Sequence, residues 1–301
     1  MTMQVSTKIF NQQAIDTFEQ MGAEIQQMQK KIATGKNIQK PSDDPVLAAR
    51  ASVLSDQLAQ TEQYIRNIDV SYVKLGMADN VLDQTSNLMT RAYELAVRAT
   101  SDTTASGRSA ILVEIEGILE SIRDLANSKD ANGGALFGGY KVEGNPFVMD
   151  AQGNTQYQGD RGTHTVKISD SLRMATTLDG ATVFGRVQVS SGHRSVFDML
   201  DTLISDLKAG DASDLPISDL SDAVAHIADQ RSLIGGEMNK AENHANLLAN
   251  RKLLLTENIG DMEDADLAEI VTKLQSLMIS KNAAQQAFTR ISQMSLFEFL
   301  R

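Results

Sequence analysis

The chain has 301 residues, 42% of them hydrophobic and 22% charged, so it can build a core and is not globally disordered. Its formal net charge of −11 excludes binding nucleic acid through a basic face. The absence of cysteine removes disulfides, thiolate metal sites and cysteine nucleophiles.

Charge, glycine and aromatics are unevenly placed. Residues 1–50 are net +1, 251–301 net −1, and 51–250 net −11, so near-neutral ends flank an acidic body. Eleven of the 20 glycines lie between Gly133 and Gly192, which marks a different kind of structure from its flanks. With 14 aromatics, no Trp and 13 Met, the composition suits thin helical seams filled by aliphatic side chains. No apolar run is long enough for a membrane-spanning helix, and Met1–Ser6 lacks the basic start and apolar core of a cleavable signal.

In chain order, the first stripe is Phe10, Ala14, Phe18, Met21, Ile25, Met28 and Ile32, at steps of three and four, closed by Gly35. The turn Pro41-Ser42-Asp43-Asp44-Pro45 follows, with Asp44 as N-cap, Pro45 as first helical residue and Asp43 adding favourable charge at the helix start. A helix is then predicted from 45 to about 100. Its seam is Leu47, Ala51, Leu54, Leu58, Thr61, Ile65, Ile68, Tyr72 and Leu75, continuing through Leu82, Met89 and Ala96, with Asp79 and Ser86 interrupting it. At about 1.5 Å per residue this makes a rod of about 80 Å. A shorter helix is predicted from about Arg108 to Asn127.

Between 133 and 194 short strands are expected. Phe147–Met149 and Thr155–Tyr157 form a hairpin about Asp150–Asn154, His164–Ile168 alternates, and Arg173–Leu178 and Ala181–Phe184 flank a turn at Asp179-Gly180. The Gly133–Gly139 run has no following Gly-Lys-Ser/Thr for a phosphate and reads as a tight entry to this region.

Helices return at about Ser195–Ala209 and 219–256. The second has a seam at Ile227, Arg231, Ile234, Met238, Ala241, Ala245, Leu248, Lys252, Leu255, Ile259 and Met262. Asp261–Asp266 reads as the acidic first turn of the last helix, whose stripe is Leu267, Ile270, Leu274, Leu277, Lys281, Ala284, Phe288 and Ile291.

The predicted fold is mainly α: a long antiparallel helical hairpin or coiled-coil rod, built from the N- and C-terminal segments, with a small β-rich insert. Residues 1–44 with 258–301 form the terminal assembly helices, expected to be disordered in the monomer. Residues 45–132 with 195–257 form the rod, and 133–194 the outer insert. A monomeric bundle and an assembly surface both satisfy the two short stripes. His164, His193, His226 and His244 lack metal-ligand spacing, His226 and His244 read as two exposed residues, no nucleophile elbow is present, and no catalytic, cofactor or metal site is expected.

Several residues carry a family resemblance. Val5-Ser6-Thr7, Thr34-Gly35-Lys36 leading to the Pro41–Pro45 turn, and the paired terminal seams resemble the flagellin superfamily. Leu136-Phe137-Gly138-Gly139-Tyr140-Lys141 with Pro146-Phe147, Tyr157-Gln158-Gly159-Asp160, and the final Met294–Arg301 resemble its hook–filament junction branch. The resemblance implies a non-enzymatic adaptor of the bacterial flagellum, with no cofactor. It would leave the cell through the flagellar type III export apparatus without a cleaved signal, after a chaperone covers its C-terminal seam. Outside the cell it would form a ring of its own copies joining the first hook-associated junction protein to flagellin, with no nucleic-acid contact and no membrane insertion. A filament flagellin is the alternative, and a secreted helical translocator or effector the remoter one.

Overall fold

The computed structural model describes residues 2–101, 104–210 and 215–299. The side chains of Phe10, of Val5-Ser6-Thr7 and of the final octapeptide lie outside the described residues, as do Leu300 and Arg301 altogether. The described residues form helices α1 (Thr2–Thr34), α2 (Pro45–Ser101), α3 (Ala105–Ala126), α4 (Gly180–Phe184), α5 (Val196–Ala209), α6 (Ile217–Glu263) and α7 (Leu267–Phe299). Six short strands lie between α3 and α5: β1 (Phe147–Met149), β2 (Thr155–Tyr157), β3 (Thr165–Lys167), β4 (Arg173–Ala175), β5 (Val187–Val189) and β6 (Gly192–Arg194). They pair only as antiparallel hairpins, β1–β2, β3–β4 and β5–β6. This is the mainly α architecture with a small strand-containing insert that the periodicities predict.

The chain divides into two compact units, Met1–Ala59 with Lys252–Arg301, and Gln60–Arg251, and α2 and α6 contribute to both. In the Gln60–Arg251 unit, α2 and α6 run antiparallel. Arg231 on α6 donates from Nε to Asp79 (3.1 Å) and from Nη1 to Asp83 (2.6 Å), while Met238, one heptad further along α6, faces Gly76. The buried row of α6 matches its predicted seam, with Ile227, Ile234, Ala241 and Leu248 inside.

The α2 seam is corrected by one residue. Thr61, Ile68, Leu75, Leu82, Met89 and Ala96 are buried as expected. Their partners are Tyr64, Ser71, Ala78, Thr85, Ala92 and Ala99, all buried, in place of Ile65, Tyr72, Asp79 and Ser86. Tyr72 is 41% exposed. The predicted interruptions Asp79 and Ser86 therefore lie off the seam, and Asp79 pairs with Arg231. Ser71 and Thr85 are tolerated inside because each hydroxyl donates to a carbonyl four residues back, Asn67 at 3.0 Å and Val81 at 2.9 Å.

In the insert, β1–β2 and the predicted alternating segment form as expected, the latter as β3 paired with β4. Ala181–Phe184 is not a strand but lies within helix α4. Asp179 caps it, Oδ1 accepting from the Ala181 amide (2.9 Å) and Oδ2 from the Thr182 hydroxyl (2.7 Å). The β5–β6 hairpin was not predicted.

Two of the motifs that carried the resemblance meet here. The Asp160 amide donates to Gly138 O (3.0 Å), and the single Tyr157 hydroxyl proton is shared between Asp160 O (2.8 Å) and Phe137 O (3.1 Å). Gly139, at φ +70°, lies so close to Asp160 O that a Cβ would collide with it.

The entry loop is pinned to α2 by Lys74, whose Nζ lies 2.7 Å from Asp130 Oδ2. Burial would push the Asp130 carboxyl up, but Lys74 and the amides of Gly134 and Asn132 outweigh it and hold the carboxyl below its ordinary value of 3.8. A depressed folded-state pKa contributes stability above the unfolded carboxyl's range, lost as pH falls through the lowered one. In thermal melts, stability of the Gln60–Arg251 unit should therefore decline below about pH 4. Asp130→Asn should lower stability at neutral pH and flatten that decline.

Candidate assembly surface

In the unit formed by the two ends of the chain, α1 and α7 pair antiparallel. Phe18 meets Phe288 edge-on, ring centroids 5.8 Å apart and planes at 85°. One turn along α1, Gly22 faces Lys281, and a Cβ there would lie 3.4 Å from its Nζ. Ala14, Phe18, Met21, Ile25, Met28 and Ile32 form one row on α1, and Ile270, Leu274, Leu277, Lys281, Ala284 and Phe288 one row on α7. All are half-buried and none reaches the full burial common on α2. Leu267 and Ile291, at the ends of the α7 row, remain 46% and 50% exposed.

The connecting turns join beside this pair. Gly35, at φ +70°, ends α1, its amide donating to Lys31 O (2.9 Å). The next residues pair with the α6–α7 junction: the Asn37 amide donates to Glu263 O (2.7 Å), the Ala265 amide to Gly35 O (2.9 Å), and Lys36 Nζ pairs with Glu263. Sequence reasoning missed this clasp. Its only signal is a lone Lys beside Gly35 facing an acidic run 227 residues away.

The acidic run is divided by the clasp and is not one helical turn. Asp261–Glu263 end α6, and Asp264 bridges to Lys36. Asp266 alone caps α7, accepting from the Ala268 and Glu269 amides at 3.0 and 3.1 Å.

The Pro41–Pro45 turn delivers the chain to α2. Asp44 caps it as expected, accepting from the amides of Val46 (3.1 Å) and Leu47 (2.9 Å). Asp43 closes the preceding turn by accepting from the amides of Lys40 and Gln39, which hold its carboxyl below the ordinary range.

His226 and His244, read as exposed, prove to be half-buried local fasteners, and His164 is a third fastener. On α6, His226 Nε2 faces the carbonyls of Thr182 (3.1 Å) and Val183 (3.2 Å), and His244 Nε2 that of Ile168 (2.9 Å); both rings are half-buried. His164 Nε2 lies 3.1 Å from Tyr140 O. A carbonyl only accepts, so Nε2 carries the proton on all three rings. Among the described residues, no group of three His, Asp or Glu could hold a metal ion. No helix among them is long and apolar enough to cross a membrane.

Comparison with known proteins points the same way. Residues 5–142 match the bacterial flagellin N-terminal helical region and 217–300 the flagellin C-terminal helical region. Flagellar hook-associated protein 3 of Salmonella typhimurium is 27% identical over 99% of this chain and 100% of its own length. Flagellin of Bacillus subtilis is 24% identical over 93% of this chain and 94% of its own. Among solved structures, Bacillus cereus FlgL covers 69% of this chain and 99% of its own at 26% identity, with a TM-score of 0.58. The chain belongs to the flagellin superfamily, and within it is similar over nearly its whole length to hook-associated protein 3.

Proposed function

We propose that this protein is a structural adaptor of the bacterial flagellum: a ring of its copies joins the first hook-associated junction protein to the flagellin filament. The observation that carries the proposal is the end-to-end likeness to hook-associated protein 3, together with an α1–α7 seam that stays half-buried along its length. Residues 1–44 with 258–301 form the assembly part, 45–132 with 195–257 the helical body, and 133–194 the outward insert. Apolar rows left partly exposed in one chain gain burial against neighbouring copies, at about 25 cal/mol per Å² of apolar surface covered. The terminal segments acquire their final packing on assembly, after uncleaved export through the type III apparatus with a chaperone over the α7 row. Extracellular placement on the flagellum follows from the same reading.

Deleting the gene tests the role against the flagellin alternative. Loss of the adaptor should leave hooks without filaments and release flagellin into the medium as monomer, whereas loss of a sole flagellin leaves none to release. Limited proteolysis tests the assembly step. Roughly the first 40 and last 40 residues of the purified monomer should be trimmed first, and their resistance would show that they need no partner.

A further inference from the structure

Within the Gln60–Arg251 unit, α2 and α6 carry glycine at one level. Gly76 is the only glycine in the 57 residues of α2, and Gly235-Gly236 is an adjacent pair inside the 47 residues of α6. Arg231 pairs with Asp79 and Asp83, and Met238 lies against Gly76. Gly235 and Gly236 fall between Arg231 and Met238, so the α2 stretch opposite them begins at Gly76. Gly235, four residues after Arg231 and three before Met238, shares their face toward α2.

The fold gives no steric reason for glycine at any of the three positions. A Cβ on Gly235 or Gly236 would meet nothing within 4 Å, and one on Gly76 would stand 3.9 Å from the Met238 methyl, an ordinary contact. None of the three has a positive φ. An interior glycine lowers the local helix equilibrium about fivefold relative to alanine, because its backbone loses more freedom on ordering. Each helix is therefore weakest where the other is, and neither splints its partner there. Gly76 also borders an open groove of about 490 Å³ between α2 and the entry loop, lined by Val73, Met77, Asn80 and Leu136, which leaves space into which α2 can move. We infer that the α2–α6 pair carries a hinge at Gly76 and Gly235-Gly236, about which the two helices bend together. The Arg231 ion pairs on one side and the buried Ala241 and Leu248 on the other hold the register while the glycine level flexes. Gln60 lies about 24 Å from Gly76 along α2, so a bend of about 10° would move it by about 4 Å.

Amide hydrogen exchange on the purified full chain, corrected for intrinsic rates, tests the hinge. Amides of 75–80 and 234–240 should exchange at least about tenfold faster than those of 84–92 and 222–228, two turns or more away on the same helices. Gly76→Ala combined with Gly235→Ala and Gly236→Ala should narrow that ratio to about twofold, and the open Cβ space at all three positions lets the variant fold. Gly117→Ala is the control. It lies inside α3, where a Cβ also meets nothing within 4 Å, so it should stabilise the same unit without narrowing the ratio. The measurement needs no assembly, so its outcome is independent of the adaptor role. Equal exchange at the glycine level and two turns away in the unaltered chain, or a ratio that survives the triple substitution, would overturn the hinge. Equal exchange together with loss of filament attachment by the triple variant would also overturn it, and would assign the open space to a neighbouring chain.

Discussion

Leu274→Asp should abolish filament attachment while leaving the Gln60–Arg251 unit intact. Leu274 sits mid-row on α7, half-buried. In the isolated chain the new carboxylate can still reach water, so its cost there is modest. If the row is covered by neighbouring copies, that carboxylate must be buried without a partner, which costs several kcal/mol at every copy in the ring. A strain whose own gene is replaced by the variant should therefore show hooks without filaments and flagellin in the medium. The purified variant should keep the wild-type melting transition of the Gln60–Arg251 unit, whose core contains no α7 residue. Phe288→Leu, which keeps apolar bulk but loses the edge-on contact with Phe18, should retain motility. Normal filaments on the Leu274→Asp strain would show that this row is not covered on assembly.

The helices were legible in the sequence because their signals are local. The Asp44 cap, the Gly35 stop and the rows of α1, α6 and α7 all depend on spacing within one segment. On α2 the same spacing admits two partner rows for Thr61, Ile68 and Leu75, one through Ile65 and Tyr72, the other through Tyr64, Ser71 and Ala78. Hydropathy favours Ile65 over Tyr64, but close helix packing favours the small residues Ser71, Ala78 and Ala92, whose burial carries little hydropathy signal. Helix α4 differs from the expected strand because the four residues Ala181–Phe184 fit a strand or a single helical turn, and only the reach of Asp179 decides. The Lys36–Glu263 clasp and the His226 and His244 fasteners join residues 227, about 44 and 76 positions apart, and no one-dimensional pattern records such a pairing. The candidate seams were readable as rows, whereas what lies against them is set by distant chain.

Phe184→Ala is the counterpart of the seam substitution, with its damage on the other side. Phe184 is fully buried and stands at the centre of an aromatic knot, with ring centroids 5.1 Å from Phe137, 5.5 Å from Phe147 and 6.1 Å from Phe197. These rings come from the glycine-rich entry loop, β1 and α5, so one side chain ties two segments of the insert and helix α5 to α4. Gly180 lies against the same knot, where a Cβ would stand 2.5 Å from Phe137 O, so the backbone has no room to collapse into a vacated space from that side. The cavity should therefore stay largely open, and the loss should reach about 3–5 kcal/mol, read as a fall of roughly 10 °C in the melting temperature of the Gln60–Arg251 unit. Phe184→Leu should recover more than half of that loss by refilling most of the volume. Both variants keep the α1 and α7 rows unaltered. At a growth temperature well below the lowered transition, Phe184→Ala should still attach filaments, whereas Leu274→Asp should fail at every temperature. If the two variants instead lose filaments with the same temperature dependence, assembly does not reside in the terminal rows but in the folded Gln60–Arg251 unit.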